Sequence, residues 1–396
     1  MNPSFHIIDF VIVGIYAILL VGVGLWVSRT KKGHSKTAED YFLASKALPW
    51  WAIGSSLIAA NISAEQFIGM SGSGFAGGLA IASYEFMAAL TLIIVGKFFL
   101  PIFIKQGIYT IPEFVEKRFS TNLKTILAVF WIALFVFVNL TSVLFLGGKA
   151  IDTIVGVGDG SMIVPAIIAL AIFAAAYSLY GGLSAVAWTD VIQVALLVIG
   201  GIITTLIALH YVTPDGGILN GISHIADAAS DKFDMVLSRD NKEFNNLPGI
   251  YVLIGGLWVA NLYYWGFNQY IIQRTLAAKS LTEAQRGIAF AAFLKMLIPF
   301  IVVIPGIVAW VMYSEDLYGA RSAFEIAGST ALNNDNAYPW LISTFIPVGV
   351  KGLVLAALAA AIVSSLASML NSTSTIFTMD IYKPYINREA SQTKLV

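Results

Sequence analysis

Long apolar segments alternate with short charged loops along this chain. A helix needs about twenty predominantly apolar residues to cross the hydrocarbon core of a bilayer. Nine stretches of suitable length occur in the 396 residues, at about 7–27, 50–76, 79–104, 124–148, 161–180, 188–212, 249–270, 287–312 and 349–378. The pattern predicts an all-α membrane protein with about nine transmembrane helices.

Composition supports a location in the lipid bilayer and excludes several other classes of protein. Hydrophobic residues make up 58% of the chain and charged residues only 12%, too few to solvate a globular surface of this size. A net charge of zero gives no indication of a nucleic-acid partner. The absence of cysteine rules out thiol nucleophiles and thiolate metal sites. Because no nucleophile or acid–base arrangement occurs either, the chain is not expected to be an enzyme.

The distribution of Lys and Arg predicts the orientation of the chain. These residues are concentrated in four loops, at 28–46, 105–124, 271–286 and 379–396. Under the positive-inside rule these loops are cytoplasmic, which puts the N-terminus outside and residue 396 in the cytoplasm of a cell (plasma or inner) membrane. No basic residue precedes the first apolar segment, so we expect a retained helix rather than a signal peptide.

Polar residues interrupt two of the apolar segments. The run Asn61-Ile62-Ser63-Ala64-Glu65-Gln66 lies within the second segment, and Asn261 and Asn268 lie within the seventh. Unwound backbone at membrane depth is tolerated only where it lines a cavity or is buried in protein. We therefore predict helix breaks near 60–66 and 259–265 that face each other across a midplane cavity. The alternative is that both segments are ordinary glycine-rich helices.

The spacing of the two interrupted segments predicts an inverted five-helix repeat. Five helix starts separate them, and they cross the membrane in opposite directions. The predicted units are an extra N-terminal helix and cytoplasmic loop at 1–48, a first repeat of five helices at 49–212, an extracellular loop at 213–248, a second repeat represented by three helices at 249–380, and a cytoplasmic tail at 381–396.

Ionisable residues at membrane depth are candidates for a binding site. Glu65, Glu85 and Lys295 lie within apolar segments, where a charge costs about 2.5–3.5 kcal/mol. Lys97 lies closer to a helix end and can extend to the interface, so we interpret it as structural. Glu85 and Lys295 either form a structural ion pair or line a cavity for a neutral polyhydroxylated solute.

Three serines interrupt the alanine-rich ninth segment: Ser364, Ser365 and Ser368. Small residues of this kind favour close packing of membrane helices. Their hydroxyl groups could equally coordinate a hard cation together with the free carbonyl groups of a broken helix. The residues alone leave both interpretations open.

Four stretches of the sequence carry a resemblance to a known family. They are ANISAEQFIGMSGSG (60–74), YGGLSAVAWTDVIQ (180–193), ANLYYWGFNQYIIQRTLAAKS (260–280) and ALAAAIVSSLASMLNST (357–373). The chain resembles the sodium/solute symporter family, and within it the sodium-coupled sugar symporters. The resemblance implies symport of a hexose of the galactose or glucose type with a co-transported sodium ion, by alternating access.

The same resemblance implies roles for individual residues. The implied sodium ligands are the carbonyl groups of Ala59, Ile62 and Ala361 and the hydroxyl groups of Ser364 and Ser365. The implied sugar ligands are Gln66, Glu85, Asn261 and Lys295. The implied gate consists of Tyr264 under the sugar, Asn61 holding it, Trp265 beside it and Tyr84 on the outer side. Asp190 is implied to lie on the exit path of sodium.

Two features of the chain depart from the family pattern. Ala88 stands where the sugar-transporting relative has a serine, so one hydroxyl contact to the sugar is not expected. The chain ends at Val396, before the two further helices that the second repeat requires. We therefore expect a C-terminally incomplete version of the fold.

Two other functions remain open. The chain could transport a different solute with sodium, such as inositol, an amino acid or a carboxylate, although the pair of Glu85 and Lys295 favours a neutral sugar. It could also be a membrane sensor that binds sugar without moving it. A sensor is expected to carry a soluble signalling domain, and no such domain occurs within these 396 residues.

Overall fold

The computed structural model describes residues 5–29, 35–63, 65–156, 159–247, 249–326 and 329–396. Within these ranges the chain is helical and forms no β-strand. The α-helices are α1 (Ile7–Val27), α2 (Ala38–Phe42), α3 (Trp50–Asn61), α4 (Ser71–Gly77), α5 (Ser83–Ile94), α6 (Leu100–Gln106), α7 (Ile111–Arg118), α8 (Thr121–Ala133), α9 (Leu140–Ile154), α10 (Ile163–Tyr211), α11 (Ile218–Ala228), α12 (Ile250–Ile254), α13 (Gly256–Phe267), α14 (Gln269–Leu276), α15 (Leu281–Ile298), α16 (Ile304–Ser314), α17 (Ala320–Phe324), α18 (Ala337–Phe345), α19 (Val350–Ile376) and α20 (Gln392–Leu395).

Short helical segments of other geometry join or extend these helices. The π-helical segments are Glu65–Met70, Val95–Phe99, Leu134–Asn139, Pro299–Val303 and Phe377–Ile386. The 3₁₀ turns are Ala44–Lys46, Gly78–Ala82, Ser230–Phe233, Leu317–Gly319 and Asn334–Asn336. π-Helical turns inside helices are rare and occur frequently at functional sites.

Six helical stretches in the described part of the chain are long and apolar enough to cross a membrane. They are Ile7–Val27, Glu65–Gln106, Thr121–Ile154, Ser178–Tyr211, Leu281–Ser314 and Val350–Ile386, with a shorter apolar helix at Ile163–Ala176. The structure confirms the predicted all-helical membrane protein. The first predicted segment, 7–27, coincides with α1.

Helix α19 lies at the centre of the molecule and α1 lies at its edge. The most apolar window of the stretch that contains α19 is 83% buried, whereas that of α1 is 17% buried. Helix α19 contacts α1, α3, α9, α10 and α14. A side chain on α19 can therefore reach most of the helices that surround the core.

Helices α3 and α15 approach each other closely through two glycines. A Cβ atom on Gly54 would lie 2.6 Å from the carbonyl oxygen of Gly287, and a Cβ atom on Gly287 would lie 2.7 Å from Cγ2 of Ile53. Such contacts between small residues let membrane helices approach to backbone distance. Both glycines lie in the N-terminal halves of their helices, so α3 and α15 are in backbone contact there.

The interruption predicted near 60–66 is present. Helix α3 ends at Asn61, and Ile62 follows in an extended conformation with φ −80° and ψ 122°. The π-helical segment then begins at Glu65. Ala64 lies outside the described residues. The extended residue removes the helical partners of the last carbonyl groups of α3, so these groups need other partners.

The interruption predicted near 259–265 is wrong. Helix α13 runs through this range, and the extended residue is Asn268, with φ −80° and ψ 122°. The amide group of Asn261 donates to the Leu257 carbonyl at 3.0 Å and accepts from Trp265 Nε1 at 3.2 Å. Because its own helix satisfies this side chain, Asn261 does not interrupt α13.

Glycines with non-helical backbone angles interrupt two helical stretches. Gly182 adopts φ 59° and ψ −152° within α10, and Gly78 adopts φ 73° and ψ −147° after α4. This positive-φ region is accessible to glycine and strained for other residues. Helix α10 therefore contains both segments predicted at 161–180 and 188–212. The kink at Gly182 separates them.

Candidate functional site

The hydroxyl group of Ser365 lies among the carbonyl groups at the end of α3. Its Oγ is 3.0 Å from the carbonyl oxygen of Ala60, 3.3 Å from that of Ile62 and 3.1 Å from that of Ala361. The side chain is buried. One hydroxyl proton cannot serve three acceptors, so this group has an excess of oxygen lone pairs. Such an oxygen-only environment is suited to a hard cation such as sodium.

The hydrogen bonds of Ser365 and Ser364 show which groups surround the implied sodium ligands. The carbonyl groups that accept from Ser365 belong to Ala60, Ile62 and Ala361, and Ala59 is not among them. Ser364 Oγ donates to Asp190 Oδ1 at 2.5 Å, so its proton is directed to that carboxylate. A hydroxyl group donates more strongly to a carboxylate than to a neutral carbonyl group, which accounts for this choice of partner.

Asp190, the acceptor of the Ser364 hydroxyl group, forms a buried ion pair with Arg274. Arg274 Nη2 lies 3.5 Å from Asp190 Oδ2, and both side chains are fully buried. Ser56 connects them, since its Oγ donates to Asp190 Oδ2 and accepts from Arg274 Nε at 2.6 Å. Arg274 also donates to the Tyr270 carbonyl oxygen and to Ser368 Oγ. The arrangement satisfies the guanidinium group through α3, α14 and α19 together.

Arg274 is a buried residue of this site that the sequence pattern does not indicate as a functional candidate. The charge pattern places it in a cytoplasmic loop at 271–286, whereas it lies in α14, a helix in which all eight residues are buried. The available signal was the run Gln269-Tyr270-Ile271-Ile272-Gln273, which carries too few charges for a cytoplasmic loop. Helix α14 continues the interrupted segment beyond Asn268.

Tyr264 lies next to the end of α3. Asn61 Nδ2 donates to Tyr264 Oη at 2.9 Å, and the hydroxyl groups of Tyr264 and Tyr270 lie 2.7 Å apart. These residues border a cavity of about 280 Å³. Its lining includes Ala60, Asn61, Ser63, Glu65, Gln66, Asn139, Ser142, Tyr264, Tyr270 and Ser365. The cavity therefore brings together two residues implied for the gate, Tyr264 and Asn61, one implied sugar ligand, Gln66, and Ser365.

Gln66 takes part in the helix break itself. Its Oε1 accepts from the backbone N–H of Ser63 at 2.9 Å, and its side chain lines the cavity. The Nε2 group of Gln66 donates to no other residue in the described part of the chain. It is therefore available to a bound solute.

Glu85 and Lys295 form a buried ion pair. Lys295 Nζ lies 2.5 Å from Glu85 Oε2, and both side chains are buried. Lys295 Nζ also lies 5.4 Å from the centre of the Trp265 ring, and Trp265 in turn contacts Tyr264 with ring centres 5.1 Å apart. The rings of Tyr264 and Trp265 thus connect the ion pair to the cavity.

The structure does not place every predicted sugar ligand on the cavity. Among the described residues, the lining of the 280 Å³ cavity does not include Glu85, Asn261 or Lys295. Tyr84 is 39% exposed and is not part of the lining either. Of the implied sugar ligands, Gln66 borders the cavity, whereas Glu85 and Lys295 form an ion pair outside its lining.

Comparisons with known proteins agree with this fold. Interrupted helices around a polar cavity are typical of membrane transporters. Residues 41–396 match the model of the Sodium:solute symporter family, and the chain belongs to that family.

Several relatives cover nearly all of this chain. It is 65% identical over 392 residues to a sodium/glucose cotransporter of Vibrio parahaemolyticus, an alignment that covers 98% of this chain and 71% of the relative. It is 33% identical over 413 residues to a sodium/myo-inositol cotransporter of Homo sapiens, covering 98% of this chain and 56% of the relative. The chain thus spans a little over half the length of that human relative.

A solved structure has the same fold. It is a substrate-bound, outward-open Na⁺-coupled sialic acid symporter, which superimposes with a TM-score of 0.84 at 28% identity. The match covers 99% of this chain and 78% of that one.

The ion pair between Asp190 and Arg274 generates a prediction about stability. Removing one partner leaves a buried charge uncompensated, which costs about 3–5 kcal/mol. We expect Asp190→Asn and Arg274→Gln each to lower the free energy of unfolding by that amount, as measured by denaturant unfolding of the purified protein in detergent. The double variant should lose less than the sum of the two.

The control for this experiment is Arg286→Gln, because the Arg286 side chain is 66% exposed and its Glu283 partner is 4.0 Å away. We expect it to change the free energy of unfolding by less than about 0.5 kcal/mol. Strictly additive losses from Asp190→Asn and Arg274→Gln would show that the two side chains do not interact.

Proposed function

We propose that this protein is a sodium-coupled symporter of a neutral hexose, of the galactose or glucose type, that works by alternating access. The observation that carries the proposal is the position of Ser365 among three carbonyl groups, on the wall of a cavity that Tyr264 and Gln66 also line. A cation bound among these oxygens would lie beside a solute in the cavity. The relatives named as sodium/glucose cotransporters support this choice of ion and solute.

The proposed architecture is an inverted repeat with a broken helix in each half. Ile62 and Asn268 have the same backbone angles and lie about 200 residues apart, which supports this arrangement. Division of the long helices at Gly78 and Gly182 would give nine crossings. The proposed units remain 1–48, 49–212, 213–248, 249–380 and 381–396, with the N-terminus outside and residue 396 in the cytoplasm.

The proposed sodium site combines backbone and hydroxyl oxygens. Ser365 and the carbonyl groups of Ile62 and Ala361 are the innermost ligands, and Ala59 and Ser364 complete the set that the resemblance implies. Asp190 accepts from Ser364, so its carboxylate lies one hydroxyl group beyond the site. A cation leaving the site could pass to this carboxylate, which suits Asp190 for the exit path.

The proposed sugar site uses the cavity and the neighbouring ion pair. Gln66 donates from the cavity wall, and Tyr264 offers an apolar ring face to the less polar side of the sugar. Glu85 accepts and Lys295 donates, and opening of their mutual contact would expose both to hydroxyl groups. Asn261, Trp265 and Tyr84 are the remaining proposed contacts.

The energy available to such a symporter can be estimated from general values. One charge that crosses a potential of 100 mV releases about 2.3 kcal/mol. A tenfold sodium gradient adds about 1.4 kcal/mol. The total of about 3.7 kcal/mol corresponds to accumulation of the solute by a factor on the order of several hundred for each coupled ion.

Symport of a cyclic polyol such as inositol is the second candidate function. Four of the mammalian relatives, at 33% identity, are sodium/myo-inositol cotransporters. Inositol and a hexose present similar rings of hydroxyl groups, so Glu85 and Lys295 suit both. Competition between galactose, glucose and inositol for binding to the purified protein separates these candidates.

The first prediction of this function concerns the ion. Ser365→Ala removes one cation ligand without adding bulk, and we expect the sodium concentration that gives half-maximal sugar binding to rise by about tenfold. The control, Thr373→Val on the same helix, removes a hydroxyl group whose hydrogen bond, within the described residues, is to the Met369 carbonyl one turn away. Unchanged sodium dependence in Ser365→Ala would assign Ser365 to helix packing.

The second prediction concerns the sugar. Leaving a buried charged partner unpaired costs at least about 1–3 kcal/mol, so Glu85→Gln should weaken sugar binding by roughly tenfold or more. Lys97→Gln should have little effect, because Lys97 is exposed and its Nζ lies over the neighbouring Phe98 ring. Equilibrium binding of labelled sugar in saturating sodium measures both variants. Equal losses in the two, or none in either, would mean that the sugar binds elsewhere.

A further inference from the structure

Helix α19 begins without a capping side chain of its own. Its N-cap residue is Gly349, with φ 86° and ψ −49°, and no side chain from its own turn accepts a hydrogen bond there. Asp9 of α1 supplies the acceptor instead. Asp9 Oδ1 accepts from the backbone N–H of Gly349 at 2.7 Å and from that of Gly352 at 2.9 Å. A residue about 340 positions away thus satisfies two of the four free N–H groups at this helix end.

The carboxylate is held firmly in this position. Asp9 is fully buried, and its Oδ2 accepts from the backbone N–H of His6 at 3.0 Å. A Cβ atom on Gly352 would lie 2.6 Å from the Asp9 carbonyl oxygen, so α1 and α19 are in backbone contact here. A negative charge at a helix N-terminus is favourable, and more so when it is shielded from water. The contact fixes the two helices against each other along the helix axis.

The position of α19 along its axis determines the geometry around Ser365. Helix α19 is continuous from Val350 to Ile376, so a shift at its N-terminus is transmitted to Ser365, about four turns away. Ser365 Oγ lies 3.0 to 3.3 Å from the carbonyl groups of Ala60, Ile62 and Ala361. A displacement of less than 1 Å would break hydrogen-bond geometry with the two carbonyl groups that belong to α3 and its extended residue.

We infer that Asp9 is a positioning residue for the cation site: it sets the axial position of α19 and thereby the affinity for sodium at Ser365. The inference rests on the function proposed above. It gives the peripheral helix α1 a role in ion binding, although none of its residues lies among the proposed ligands.

The test compares Asp9→Ala and Asp9→Asn with the unmodified protein. Sodium affinity is measured by titrating the thermal unfolding temperature of the purified protein with sodium at constant ionic strength, which does not require transport. We expect the sodium dissociation constant to rise about fivefold in Asp9→Ala, or about 1 kcal/mol. Asp9→Asn keeps an acceptor oxygen and loses the charge, so we expect a rise of about twofold. Sugar affinity at saturating sodium should stay within about twofold in both variants.

The matched control is Asp152→Ala. Asp152 is a buried carboxylate that accepts from the backbone N–H groups of Gly160 and Met162, each at 2.9 Å, at the start of α10. Its removal should lower the unfolding temperature without changing the sodium dissociation constant. Equal shifts in sodium affinity for Asp9→Ala and Asp152→Ala, or no shift in Asp9→Ala, would overturn the inference.

Ser365→Ala separates this inference from the proposed function. If Ser365→Ala weakens sodium binding and Asp9→Ala does not, the role of Asp9 is wrong and the cation site stands. If neither variant changes sodium binding, the cation site itself is wrong, and the role of Asp9 falls with it. If Asp9→Ala does not yield folded protein, the twofold rise expected for Asp9→Asn decides the matter.

Discussion

A backbone carbonyl group at membrane depth needs a partner that lipid cannot provide, and the structure around the end of α3 depends on this constraint. The extended conformation of Ile62 releases carbonyl groups from the helix, and Ser365 of α19 meets them with one hydroxyl group. One hydroxyl proton faces three carbonyl oxygens, so acceptors outnumber donors here. A bound cation would correct this imbalance, which is why the break serves as a site and not merely as a bend. Burial of α19 on nearly all sides keeps lipid away from the exposed carbonyl groups.

Buried charges meet the same constraint, and each of them joins helices that are distant in sequence. Asp190 of α10 pairs with Arg274 of α14, Glu85 of α5 pairs with Lys295 of α15, and Asp9 of α1 binds the start of α19. Desolvation of such groups costs about as much free energy as their pairing returns. These contacts specify which helices are neighbours and how they are positioned relative to one another along their axes. A transporter that must rearrange helices around a bound ion requires that kind of specification.

Much of the fold could be predicted from the sequence because lipid imposes a simple pattern. The apolar run at 7–27 became α1 without adjustment, and the polar run at 61–66 marked the first break. The second break could not be placed, because an asparagine inside a helix can either interrupt it or bond along it. Asn261 bonds along α13, and Asn268 has the extended conformation. Composition alone does not distinguish the two residues.

The site could be predicted only in part, for a different reason. The resemblance indicated Ser364, Ser365 and Tyr264, and the contacts of Ser365 with Ile62 and of Tyr264 with Asn61 are present. The pairing of Ser364 with a carboxylate 174 positions away depends on how α10 and α19 cross, which no local pattern encodes. The sequence does not indicate that Arg274 is buried, because a basic residue is also expected in the predicted cytoplasmic loop at 271–286. Its burial follows from the continuation of the broken helix into α14.

Sodium and sugar are expected to bind cooperatively, because Ser365 contacts the free carbonyl groups and also lines the cavity together with Asn61 and Tyr264. The most direct test is titration calorimetry of sugar binding to the purified protein in sodium chloride and in choline chloride of equal ionic strength, followed by sodium titration with and without sugar. Reciprocity of binding requires that sodium raise sugar affinity and that sugar raise sodium affinity by the same factor. We predict a factor of at least about fivefold in each direction, as is typical of coupled sites. Identical sugar affinities in the two salts would contradict the claim.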